Sequence, residues 1–188
     1  MNRLLSRMLK RYFTFKRARL RKRFDRVLPT NELFTDRWEK AKYLGFGKDT
    51  SVYDSATFFG NVKVGERTWI GPYTILDGTG GLTIGNNCGI GPGVYIYTHD
   101  TVSWTLSGGK HPYRYKPVTI GDNCFVGSQS IIYAGVTIGT SAMIMVNSVV
   151  SIDVPDRAIV GGSPAKIIGE VILSDDAEPV LKFYGNGK

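Results

Sequence analysis

The 188 residues contain only two histidines, His99 and His111, and two cysteines, Cys88 and Cys124, so side chains able to act as bases or nucleophiles near neutral pH are few. An imidazole, with a reference pKa of ~6.5, is a neutral base near pH 7 and can take a proton from a hydroxyl or amine. His99 is followed directly by Asp100, whereas His111 lies in a stretch with Gly108, Gly109 and Pro112. The cysteines are 36 positions apart without CxxC spacing, which excludes a disulfide framework and a cysteine-based zinc site. Proton transfer at one histidine is the chemistry on offer, and it requires a scaffold that holds that histidine still.

The scaffold is written in steps of six. Large apolar residues lead each hexad at Phe46, Val52, Phe58, Val64, Ile70 and Leu76, then at Ile84, Ile90 and Ile96, then at Ile120, Val126, Ile132, Ile138, Ile144 and Val150. Four positions after each lead is a small or β-branched residue in fourteen of fifteen hexads, the exception being Asp100. Glycine follows the lead in every first hexad of three (Gly47, Gly65, Gly85, Gly121, Gly139), in three middle hexads (Gly71, Gly91, Gly127), and never in the third. The period is therefore three short strands and eighteen residues. One hexad cannot bury its apolar face, but stacked coils can, with each lead packing on its equivalents above and below. The pattern predicts a parallel β-helix of five coils over residues 46–155, an all-β fold in which Cys88 and Cys124 are stacked inward thiols.

Residues 102–119 fail the hexad test, with Val102, Gly108 and Arg114 at the lead positions, and read as a loop leaving the prism at a corner. His99-Asp100 stands where the repeat breaks, immediately before that loop. Local violations of a consistent pattern concentrate at functional sites. The competing reading is a surface histidine capping a turn. His111 is the rival base, on a loop with no repeat to position it.

Charge is divided unevenly. Residues 1–26 carry eleven Lys/Arg and one acid, Asp25, for a net +10, and the other 162 residues sum to −2. Leu4, Met8, Tyr12, Phe15, Leu20, Phe24 and Leu28 recur through this arm at roughly helical spacing. Such a basic amphipathic helix reads either as a membrane-surface or polyanion-binding element, or as a helix packing its apolar side on a neighbouring subunit. Nothing else supplies base readout for nucleic acid. Residues 1–45 form the arm, with a short helix over 31–42 capping the first coil, and residues 156–188 form a C-terminal extension. No stretch spans a membrane and no apolar secretory h-region is visible, so a reduced, cytoplasmic setting is expected, with the arm allowing peripheral contact with an anionic membrane.

The fifteen hexads, Ile96-Tyr97-Thr98-His99-Asp100 with its following loop, and Ala158-Ile159-Val160-Gly161-Gly162-Ser163-Pro164-Ala165-Lys166 together resemble the hexapeptide-repeat acyltransferases, and within them the bacterial sugar O-acetyltransferases. The resemblance covers about residues 46–170. It implies a left-handed β-helix, acetyl-CoA as acyl donor without a metal, and a homotrimer with active sites between prisms. His99 matches the catalytic histidine, taking a proton from the acceptor hydroxyl and returning it to the departing CoA sulfur. Ser128, Val146 and Ser151 match positions lining the CoA groove, and Lys166 the position near the nucleotide phosphates, where an ammonium suits a phosphate. Asp77 matches an acidic acceptor-site region able to bond sugar hydroxyls, or is a turn aspartate; Asp100 falls on the acceptor side; Trp104 stacks on a sugar face or pins the loop.

Departures from the family pattern bear on the acceptor. Ile152 stands where galactoside and maltose acetyltransferases carry a basic residue, and Gly71 where they carry an acceptor-side asparagine. The expected activity is O-acetylation of a bacterial surface glycan or its precursor. The alternatives are N-acetylation of a nucleotide-linked aminosugar and a non-catalytic scaffold. Serine acetylation is disfavoured by the short segment before the prism. Zinc chemistry of the gamma carbonic anhydrase type needs three histidines where two are present.

Overall fold

In the computed structural model the described residues are 3–174 and 177–185; the first two residues of the arm, and residues 175–176 and 186–188 of the extension, lie outside them. Among the described residues the lead positions form three parallel ladders around one core. The first face stacks Ser51–Val52, Trp69–Ile70, Gly89–Ile90, Phe125–Val126, Met143–Ile144 and Ala158–Gly162. The second aligns Phe58, Leu76, Ile96, Ile132 and Val150, and the third Val64, Ile84, Ile120 and Ile138, with Val154 bridging to Ile138. Every lead from Val64 onward is buried, whereas Phe46 and Phe58 at the open end are partly covered and pack edge-on at 5.5 Å. The first face continues one level past the last expected hexad, through Ile159 and Val160.

The glycine phase has a steric cause. A Cβ on Gly91 would lie 2.7 Å from Ser128 N, and one on Gly127 would lie 2.5 Å from Val146 N, distances real Cβ atoms do not tolerate. At these corners the next coil crosses directly over the residue after the lead. The third corner, after the second face, carries Asp77, Tyr97, Tyr133 and Ser151 at that position instead. The corner after the first face carries Tyr53 and Met145 in its first and fifth coils, so only the corner after the third face is glycine in every coil.

The inward small column departs from the expected register at two places. Leu82 and Val118, not Gly80 and Asp100, pack beside Val62 ahead of the third face. The two additional residues of the second coil bulge out at 79–81, and the loop of the third coil leaves after Thr98, so both irregularities fall on the same corner. Cys88 and Cys124 are free, buried and stacked as expected, their thiols donating to Gly121 O at 3.1 Å and Gly139 O at 2.9 Å.

The open end is closed by a 3-10 turn, Asn31–Leu33, and a helix, Arg37–Tyr43, whose Asp36 cap accepts from Trp38 N at 2.9 Å and Glu39 N at 3.1 Å. Buried Glu32 accepts from Asp54 N and Ser55 N, and Lys40 Nζ donates to the carbonyls of Tyr53, Asp54 and Ala56, satisfying the first coil's loose backbone groups. The arm is a 22-residue helix, Arg3–Phe24, here α1. Beyond the last coil, Ala165–Ser174 returns antiparallel on Ala158–Gly162, and Ala177–Phe183 pairs with it as the outer strand.

Close crossing at the glycine corners makes Gly127→Ala destabilising by about 1–3 kcal/mol, the range for overpacking, in urea unfolding at fixed protein concentration. Gly185→Ala, whose Cβ meets nothing within 4 Å, leaves the transition unchanged.

Candidate active site

His99 opens a two-residue antiparallel ladder in which it pairs with Tyr115, and Asp100 pairs with Arg114. This ladder is the neck of the loop. Lys116 N donates to Thr98 O at 2.9 Å as the chain re-enters the prism. Beyond the neck, Val102–Leu106 forms a helical turn whose first amide, Val102 N, donates to Asp100 Oδ1 at 3.0 Å. Arg114 Nε lies 3.7 Å from Asp100 Oδ2, a half-exposed pair that contributes little by itself. Trp104 and Tyr113 meet edge to face at 5.5 Å, with Trp104 still half-exposed. His111 sits at the loop's far end, its amide donating to Ser107 Oγ.

Behind His99 lies Asp77, one coil earlier on the same corner and only 2 % exposed. Its Oδ2 is 2.7 Å from His99 Nδ1 and accepts from Thr98 N at 2.9 Å and Thr98 Oγ1 at 3.1 Å. Its Oδ1 accepts from Thr79 N at 2.9 Å and from the Thr79 hydroxyl. Five donors around about four lone-pair sites leave no open edge for another hydroxyl. Burial by itself would raise this carboxyl, but the bonds from Thr79, Thr98 and His99 outweigh it and hold the group well below the usual carboxylate range. Asp77 is therefore ionised and accepts only, so His99 Nδ1 carries the shared proton, and in the neutral ring Nε2 is the nitrogen with the lone pair. Tyr115 stacks over the imidazole at 6.0 Å with planes 28° apart. With a third of its side chain exposed, His99 is fixed on two sides and open on the other.

Thr98 and Tyr115 were not singled out by the sequence pattern. Fully buried Thr98 also accepts from Gly80 N at 2.8 Å, and a Cβ on Gly80 would lie 2.3 Å from Thr98 O, so that glycine permits the bulge to close against the dyad. Asp77-Gly78-Thr79, an aspartate bonding the amide two residues on, is the local signal for the bulge.

The groove residues expected from the sequence fall on two corners. Ser128 and Val146 stack at the corner after the first face, where Asn147 N donates to Ser128 O at 2.9 Å. Exposed Lys166 faces Gly161, beside the next level of that same corner. Ser151 lies on the corner of Tyr97 and Tyr133, the His99 edge.

A carboxyl held low in the fold contributes stability that is complete above its unfolded value, ~3.9, and is lost as the pH falls toward the depressed folded value. Asp77→Asn should thus be least stable relative to the parent near neutrality, and the gap should narrow on acidification below about pH 4, read from urea midpoints across pH.

A model of the family described as hexapeptide repeat of succinyl-transferase matches residues 61–98 and 117–151, so that its gap falls on the loop. The galactoside O-acetyltransferase of Escherichia coli K12 is 31% identical over 134 residues, 71% of this chain and 60% of that protein; the chain thus spans about three-fifths of that relative's length. A galactoside acetyltransferase solved in complex with coenzyme A superposes with a TM-score of 0.66 at 25% identity, over 84% of this chain and 82% of that one. A hexapeptide-repeat-containing acetyltransferase from Vibrio cholerae gives 0.62 at 27%, over 85% and 92%. The coils, their corners and these relatives agree that the prism carries the hexapeptide repeat and is similar to the hexapeptide-repeat acetyltransferases.

Proposed function

We propose that the protein transfers an acetyl group from acetyl-CoA to a sugar hydroxyl of a bacterial surface glycan or its precursor, with His99 as general base. The observation that carries this reading is the 2.7 Å bond from His99 Nδ1 to a buried, fully engaged Asp77, which aims Nε2 outward at the neck of the loop. Asp77 is a positioning residue in this reading, in place of the sugar contact its sequence position suggested. It orients the ring and stabilises the imidazolium that forms when Nε2 takes the acceptor's proton. Bound acetyl-CoA supplies a thioester carbonyl as electrophile, and His99 then holds the proton ready for the departing thiol. On the acceptor side, Asp100 caps the loop helix and shapes the wall, and Trp104 offers an exposed aromatic face to a sugar ring.

The residues expected along the donor fit such a ligand. Ser128 and Val146 present backbone at successive coils of one corner, and the Lys166 ammonium beside that corner suits the nucleotide phosphates. His99 and Ser151 lie on a different corner of the same prism. A donor lying between two copies touches both sets, in keeping with a homotrimer with shared sites. No helix among the described residues is long and apolar enough to cross a membrane, and acetyl-CoA as the donor supports a cytoplasmic reaction.

Release of CoA thiol from acetyl-CoA, across a panel of glycans, simple sugars, aminosugars and nucleotide sugars, tests the proposal. His99→Ala should lower acceptor-dependent release by ~10²–10⁴-fold, the usual worth of positioned proton transfer, with the KM for acetyl-CoA unchanged. Asp77→Asn should lower kcat and leave the KM for acetyl-CoA unchanged, because the ring loses the acceptor that orients it; a merely structural role would change both. Full release by His99→Ala would end the proposal, and a response confined to aminosugars would make the product an amide.

A further inference from the structure

α1 is built differently from the rest of the chain. None of its described residues is buried. It meets the body where the Tyr12 and Phe13 rings lie 5.7 and 5.0 Å from Phe34, and where Arg17 reaches Thr30 Oγ1 at 3.5 Å, a weak contact. At helical spacing Leu5, Met8, Leu9, Tyr12 and Phe15 fall on one arc, and Arg3, Arg7, Lys10, Arg11 and Arg17 on the other. Of the arc only Tyr12 has a ring partner, Phe34, which also meets the neighbouring Phe13, while Met8 and Phe15 are each 60 % exposed. In the last two turns Arg19, Arg21, Lys22 and Arg23 surround the helix with positive charge.

We propose that α1 lies in the headgroup layer of an anionic phospholipid membrane, with Met8 and Phe15 in the acyl boundary and the arginines and lysines among the headgroups. Two features of the chain select this occupant. A phosphate polymer such as nucleic acid would neutralise the charge but leave the apolar arc in water. A second copy of the prism would cover the arc, yet the 162 residues outside the arm sum to only −2, a weak net match for an arm of +10. An anionic bilayer matches both faces at once. One consequence rests on the acetyltransferase reading: a prism held at the membrane by its arm has its acceptor cleft beside lipid-linked glycans.

Flotation of the full chain with vesicles tests the surface directly. Vesicles of phosphatidylcholine with phosphatidylglycerol should carry the protein up the gradient, those of phosphatidylcholine alone should not, and added salt should weaken the association. Arg7→Gln/Arg11→Gln should lower partitioning about thirtyfold, the effect of two basic residues at an anionic surface. Met8→Asp/Phe15→Asp should abolish it, with oligomeric mass by light scattering and thiol release with a soluble acceptor unchanged in both variants. The proposal is overturned by absence of flotation with phosphatidylglycerol, by flotation that survives Met8→Asp/Phe15→Asp and is competed by DNA, or by an altered oligomeric mass in that variant. Flotation reads lipid binding alone, so its failure and the failure of acetyl transfer are separate results.

Discussion

Along the first face the amide after each lead donates to the lead carbonyl one coil on: Gly71 N to Ile90 O, Gly91 N to Val126 O, Gly127 N to Ile144 O, all at 2.8–2.9 Å. The same bonds recur on the third face through Gly65, Gly85 and Gly121. A Cβ at these glycines would collide with the backbone of the next coil, although the same bond also forms after the second face, where Tyr97 N donates to Ile132 O and Tyr133 N to Val150 O. The edge after the third face is stripped of side chains at that position in every coil, and the edge after the first face in its three middle coils, between Tyr53 and Met145. The edge after the second face has no glycine at that position, and it is there that a carboxylate, an imidazole and two aromatic rings project from successive coils.

Two interruptions of the repeat meet on that edge. The second coil carries two additional residues, which bulge at 79–81 and turn Thr79 back onto Asp77; the third coil carries the loop, which leaves from Thr98 and His99. Because the coils are stacked, residues 22 positions apart in sequence are neighbours in space. The bulge supplies a carboxylate with its own donors, and the loop supplies the ring that completes them. Neither interruption has this effect alone: without the bulge, Asp77 would lack the Thr79 bonds, and without the loop, His99 would have no reason to leave the wall.

Hexad spacing made the ladders, the inward thiols at Cys88 and Cys124, and the position of the loop legible, since each follows from period and residue size. His99 was legible for the opposite reason, as the place where the period fails. Asp77 was visible as an acid at a suggestive position, but its partner depends on which residues of the bulge turn outward. Spacing assigned Gly80 to the inward column, whereas packing chose Leu82, the larger apolar group in reach. Thr98 and Tyr115 carry no compositional signal; their importance arises from the neck of the loop, where the chain returns beside itself. The arm's composition showed an amphipathic basic helix, and only the fold shows how little of its apolar arc the chain itself covers.

The central claim is that Asp77 fixes His99 as the Nδ1–H tautomer with Nε2 as the free base. With two histidines in the chain, ¹⁵N-histidine labelling and a His111→Gln reference spectrum assign both rings. At a pH where His99 is neutral, the account predicts a protonated, pyrrole-type shift at Nδ1 and an unprotonated, pyridine-type shift at Nε2, with that preference lost in Asp77→Ala. A proton on Nε2 in the parent protein, or an even mixture of tautomers, would contradict it.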